Sequence, residues 1–118
     1  MLQVLIVDDD PFQLRIRETI LRNVGMVVHV APDADSALAL LRSVGKKIGV
    51  VVTDHFLPGR TGAELVRELR LALPSLPVVV LSGMPGIESE YEGLNVSVHL
   101  KPYAPTEFIR EIQSVLAE

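Results

Sequence analysis

The stretch Val4-Leu5-Ile6-Val7-Asp8-Asp9-Asp10-Pro11 sets the pattern for the whole chain. Its uninterrupted apolar run fits a strand buried on both faces, as in a parallel sheet covered by helices on each side. The run ends on three carboxylates. Pro11 then suits the first turn of a helix, where its missing N–H would have had no partner. Asp10 stands at the N-cap, where a carboxylate accepts from the first free backbone N–H groups. Leu14, Ile16, Ile20, Leu21 and Val24 follow at helical spacing and predict an inward stripe, closed by Gly25.

The same unit recurs. Valine-rich apolar runs at Met26–Val30, Val50–Thr53, Val78–Leu81 and Val96–Leu100 predict four more strands. The second helix has Asp33 or Asp35 as its cap, an apolar side of Ala37, Leu38, Leu40 and Leu41, and Gly45 at its end. A third is expected from Gly62 to Ala72, stopped before Pro74, with Leu65, Val66 and Leu69 facing in. The last starts at Pro105 and buries Phe108, Ile109, Ile112, Val115 and Leu116. Between Gly83 and Asn95 the chain holds Pro85, Gly86 and Gly93 and has room for about two turns, too few to be stable without packing. The expectation is an α/β doubly wound, five-stranded parallel sheet with five helices, the fourth short or irregular.

At 118 residues this is the size of one domain, expected to fill 1–118 with no effector domain among these residues. The absence of cysteine excludes a disulfide scaffold, a thiolate zinc site and a thiol nucleophile. No apolar run approaches the ~20 residues that span a bilayer, and no basic leader precedes one. The expected compartment is the cytoplasm. A net charge of −4 disfavours nucleic acid and anionic membrane as partners.

In a parallel sheet the carboxyl ends of the strands form the functional edge. Asp8, Asp9 and Asp10 follow the first strand, Asp54 the third, Ser82 and Gly83 the fourth, and Lys101 the fifth. Singly these are ordinary turn residues. Together they put carboxylates, a hydroxyl and an ammonium on one rim. Clustered carboxylates raise one another's pKa unless a cation neutralises them. All-oxygen ligands suit Mg²⁺, with Mn²⁺ as a substitute, and lysine and serine suit an anion. The pattern reads as metal-assisted phosphoryl transfer with a carboxylate nucleophile.

Val7-Asp8-Asp9-Asp10, Thr53-Asp54-His55-Phe56-Leu57-Pro58-Gly59 with Gly62, Leu81-Ser82-Gly83 and Lys101-Pro102-Tyr103 together resemble a response-regulator receiver domain. The resemblance implies a flavodoxin-like sheet of order 2-1-3-4-5. It implies that Asp54 accepts a phosphoryl group from a phosphohistidine on a sensor histidine kinase or histidine phosphotransfer protein. A downstream protein partner then reads the switched state. By the same resemblance Asp9, Asp54 and the Phe56 backbone carbonyl hold Mg²⁺, and Asp8 supports it through water. Ser82 and Lys101 contact the phosphoryl oxygens.

The chain departs from the family pattern in three places. Val98 stands where an aromatic switch residue is usual. The stretch from Ser82 to Lys101 is shortened, as in receivers attached to hybrid sensor kinases. Phe56 and Met84 flank the path of attacking water with apolar side chains, which predicts slow autodephosphorylation. His55 should point away from Asp54, because adjacent strand residues face opposite sides. His29 and His99 read as packed or edge residues.

The main rival is a haloacid-dehalogenase-type phosphatase using Asp8 and Asp10, with Ser82 and Lys101. It lacks the further acidic pair that family needs and leaves Asp54-x-x-x-Pro58-Gly59 unexplained. A pseudo-receiver acting only as a docking module is a second alternative. A dinucleotide site is disfavoured, since there is no G-x-G-x-x-G and the first loop is acidic.

Overall fold

In the computed structural model, which describes residues 2–117, strands β1 (Gln3–Val7), β2 (Val28–Ala31), β3 (Ile48–Asp54), β4 (Val78–Ser82) and β5 (Ser97–Leu100) form one sheet. All its pairings are parallel and its order is β2-β1-β3-β4-β5, the flavodoxin-like arrangement expected. Four α-helices accompany it: α1 (Pro11–Arg22), α2 (Ala34–Val44), α3 (Gly62–Ala72) and α4 (Pro105–Ala117).

The strand period of two divides the valines between two cores. Val4, Ile6, Val50, Val52, Val79 and Leu81 pack with Leu21 of α1 and with Phe108 and Ile112 of α4. Leu5, Val7, Val51 and Val80 pack with Ala37 and Leu41 of α2 and with Leu65, Val66 and Leu69 of α3. β3, at the centre of the sheet, is buried along its whole length. Burying each such side chain contributes about 1.5–3 kcal/mol, which explains why the runs are apolar on both faces.

The helix boundaries hold with local corrections. Asp10 caps α1, its Oδ1 accepting from the Phe12 and Gln13 amides at 2.9 and 3.4 Å. Asp33 rather than Asp35 caps α2. Asp35 pairs instead with Arg60, which also holds Glu68. Gly45 is the C-cap of α2, as expected, and the chain runs on from it into a 3₁₀ turn, Gly45–Lys47. Ile16 on α1 and Val24 in the turn after it are 46% and 43% exposed, so the predicted stripe is too wide. The inward position between Leu14 and Leu21 is taken by Arg17, which is buried.

The fifth expected helix, in the fourth slot, is reduced to a 3₁₀ turn, Glu88–Tyr91. Gly86, Gly93 and Asn95 around it have φ of +81°, +78° and +56°, a conformation that a continuous helix cannot contain. Helix α3 holds this segment from one side. Arg67 donates to the Glu90 carbonyl, and Arg70 donates to the carbonyls of Leu73, Leu76, Leu94 and Asn95. Tyr91 inserts its ring into the α2/α3 core.

After β3 the chain forms a tight hairpin, Phe56–Leu57 against Arg60–Thr61, turned by Gly59 at φ +74°. Thr61 and Glu64 then make a reciprocal capping box at the start of α3. Gly62 sits in the angle. A Cβ there would lie 2.6 Å from Tyr91 Oη and 2.7 Å from the Asp54 carbonyl oxygen. The carbonyl belongs to the backbone and yields little. Gly62→Ala is therefore expected to lower stability by roughly 1–3 kcal/mol in urea unfolding, with the slope unchanged.

Candidate functional site

The register of the central strand pair builds the site. Val7 of β1 is the partner of Thr53 of β3, so the next residues, Asp8 and Asp54, leave adjacent strands side by side. By parity both continue the rows Val4–Ile6 and Val50–Val52, on the face covered by α1 and α4. One carboxylate oxygen each from Asp8, Asp9 and Asp54 lies within 4.8 Å of the others. Asp8 is fully buried, Asp54 nearly so, and Asp9 is exposed. This all-oxygen donor set fits a hard divalent cation.

Two cations already face these acids. Arg17 Nη1 donates to Asp8 Oδ2 at 2.6 Å, and its Nη2 donates to Gln13 Oε1 at 3.2 Å. Asp8 Oδ1 accepts from the Asp10 amide at 3.0 Å. Lys101 Nζ lies 2.7 Å from Asp54 Oδ1. Its backbone N–H donates to the Ser82 carbonyl at 2.7 Å, which anchors the lysine to the end of β4. Burial pushes the Asp54 carboxyl above its ordinary value; the hydrogen bond from Lys101 opposes the rise and the Asp8 charge adds to it.

Of the residues singled out from sequence, Asp8, Asp9, Asp54 and Lys101 converge. Ser82 is at the rim but turned to its own loop. Its hydroxyl donates to the Met84 carbonyl at 2.9 Å and accepts from the Met84 amide at 3.0 Å. The parity of β4 accounts for this, since Ser82 continues the row Val78–Val80 on the α2/α3 face. Phe56 and Met84 are about half exposed, at 52% and 48%. Asp10 spends its carboxylate on the α1 cap, which leaves no Asp8/Asp10 pair for the phosphatase alternative.

His55 points away from Asp54, as strand alternation required. It is buried on the other face, its Nδ1 2.7 Å from Tyr91 Oη and its Nε2 3.5 Å from Glu90. Burial pushes the Tyr91 phenol well above its usual range, so it remains a neutral partner for the imidazole. His29 bonds Gln3 on the neighbouring strand, and His99 stacks on Tyr103 with ring centroids 4.3 Å apart. Two residues of this region escaped sequence reading, Arg17 and Tyr91. The signal for Arg17 was present: it lies at i+3 from Leu14 and i−4 from Leu21, in the middle of the apolar stripe.

The raised Asp54 value has a consequence for stability. Burial and the Asp8 charge disfavour the charged form relative to the unfolded chain by more than Lys101 favours it. The native state then binds this proton more tightly, and its stabilising contribution is lost as pH rises through the folded pKa. Without divalent cations, Asp54→Asn is expected to be more stable than wild type at pH 7. The gap should close as pH falls below ~3.9, as read by urea midpoints at each pH.

Comparison with known proteins agrees with this geometry. A model of the response regulator receiver domain matches residues 4–113. The probable transcriptional regulatory protein TcrX of Mycobacterium tuberculosis is 31% identical over 116 residues, covering 96% of this chain and 49% of that protein. The cell cycle response regulator CtrA of Brucella abortus is 28% identical, covering 98% of this chain and 50% of CtrA. This chain thus spans about half the length of both. Among solved structures, the chemotaxis response regulator CheY4 of Vibrio cholerae superposes with a TM-score of 0.87 at 26% identity, over 98% of each chain. With its family match covering nearly the whole sequence and its five-stranded sheet in the same order, the chain belongs to the response regulator receiver domains.

Proposed function

We propose that the domain is a phosphoacceptor switch in which Asp54 takes a phosphoryl group from phosphohistidine on a sensor histidine kinase or histidine phosphotransfer protein. The observation that carries this is the position of Asp54. Its carboxylate ends the central strand, is nearly buried, and is held by Lys101 beside Asp8 and Asp9. A cytoplasmic setting fits such a donor, and no described helix is long and apolar enough to cross a membrane.

Asp9, Asp54 and the Phe56 carbonyl would hold Mg²⁺, with Asp8 supporting it through water. Bound there, the ion supplies positive charge for the carboxylates and for the incoming phosphoryl oxygens. An Asp54 oxygen attacks phosphorus, the P–N bond breaks, and its electron pair returns to the donor imidazole, which takes up a proton. Lys101, already 2.7 Å from Asp54, shifts to share the charge of the acyl phosphate. The Ser82 hydroxyl turns from Met84 toward the phosphoryl group, and that exchange of partners biases the equilibrium read by a downstream protein.

Acetyl phosphate with MgCl₂ should label wild-type protein at one site and leave Asp54→Asn unlabelled, by intact mass. Stoichiometric labelling of the variant would remove Asp54 from the role. Phe56 and Met84, each about half exposed, are apolar and offer attacking water no hydrogen bond. Phe56→Asn is expected to shorten the lifetime of the acyl phosphate several-fold, measured as loss of label over time.

A further inference from the structure

Arg17 is unused by the phosphoacceptor reading, yet it is the most deeply placed cation of the site. Its side chain is 11% exposed, and that of its partner Asp8 is 0%. Helix α1 gives up an apolar core position to carry it, between Leu14 and Leu21. A buried guanidinium survives only where its charge is matched, and Asp8 Oδ2 at 2.6 Å matches it. The other Asp8 oxygen is committed to the Asp10 amide. Lys101 matches Asp54 in the same way. The three-carboxylate cluster is therefore balanced at two of its members, and the exposed Asp9 carries the remaining negative charge.

We propose that Arg17 is an internal counter-ion, a positioning residue that holds Asp8 in place of a divalent cation and sets how tightly the cluster takes one. The inference rests on the reading of this cluster as a Mg²⁺ site. With Arg17 in place the acids stay together and the domain folds without metal. An arriving ion meets a site whose buried charge is already matched, so affinity is low. Arg17, in contact with Asp8, would repel a cation held by the cluster, and its low exposure leaves that repulsion poorly screened.

The direction of the effect separates this role from a structural one. Damage to packing weakens ion binding, whereas removing a counter-ion tightens it. Metal-stripped wild type, Arg17→Met and Arg17→Lys are titrated with MgCl₂ by calorimetry, and with MnCl₂ by the spin-resonance signal of the free ion. Arg17→Met keeps the length of the stem without its charge. It should bind both ions on the order of tenfold more tightly than wild type. It should melt lower in chelator and gain more from saturating MgCl₂. Arg17→Lys, which keeps the charge, should stay near the wild-type affinity. Equal or weaker binding by folded Arg17→Met overturns the proposal while leaving the metal site intact. No uptake of either ion by any of the three proteins overturns the Mg²⁺ reading, and the proposal with it. If Arg17→Met does not fold in chelator, MgCl₂ must restore its circular-dichroism signal; loss of fold regardless of ion overturns the proposal.

Discussion

The pairing of β1 with β3 in a register that sets Asp8 against Asp54 is the constraint on which the site depends. Two carboxylates that leave adjacent strands on one face repel at close range, and burial removes the water that would have screened them. The strands cannot slide to relieve this. A shift of one residue would turn every valine of the central strands to the opposite core. The hydrophobic pattern therefore fixes an unfavourable electrostatic arrangement, and the polar residues around it offset the repulsion. Arg17 comes from α1, Lys101 from the end of β5, and the Asp10 amide from the turn between β1 and α1.

This division of labour explains how much was legible in the sequence. The strands declared themselves as valine runs, since a sheet covered on both faces has no polar row to interrupt them. The order of the sheet came from family resemblance, not from periodicity, and the structure has that order. Asp8, Asp9, Asp54 and Lys101 were visible as polar residues ending apolar runs. Arg17, being charged, has no place in a stripe read from apolar residues alone, and that stripe took in the exposed Ile16 and Val24. Tyr91 was hidden for another reason. It lies in a segment with no periodicity, and its role is set by His55, distant in sequence and reached only through the tertiary fold.

The shortened stretch between β4 and β5 shows how a fold tolerates loss of a helix. A helix would have satisfied its own carbonyls; an irregular chain cannot. Arg70 meets that need with one guanidinium shared among four carbonyl oxygens, two of them in this segment. Its charge is partly buried in the process, and burial lowers its pKa. Tyr91 replaces the apolar contacts that a helix face would have made. Val98 packs against the same core as Tyr91.

The contact between His55 and Tyr91 also gives the domain a short mechanical linkage. One peptide bond joins Asp54 to His55, and one hydrogen bond joins the imidazole to the turn at Glu88–Tyr91. Gly62, pressed between Tyr91 and the Asp54 carbonyl, leaves no slack in the joint. Close-packed parts of this kind transmit displacement instead of absorbing it. The end of β3 is thus tied by direct contacts to the surface segment, whose turn is flanked by Gly86 and Gly93 at positive φ.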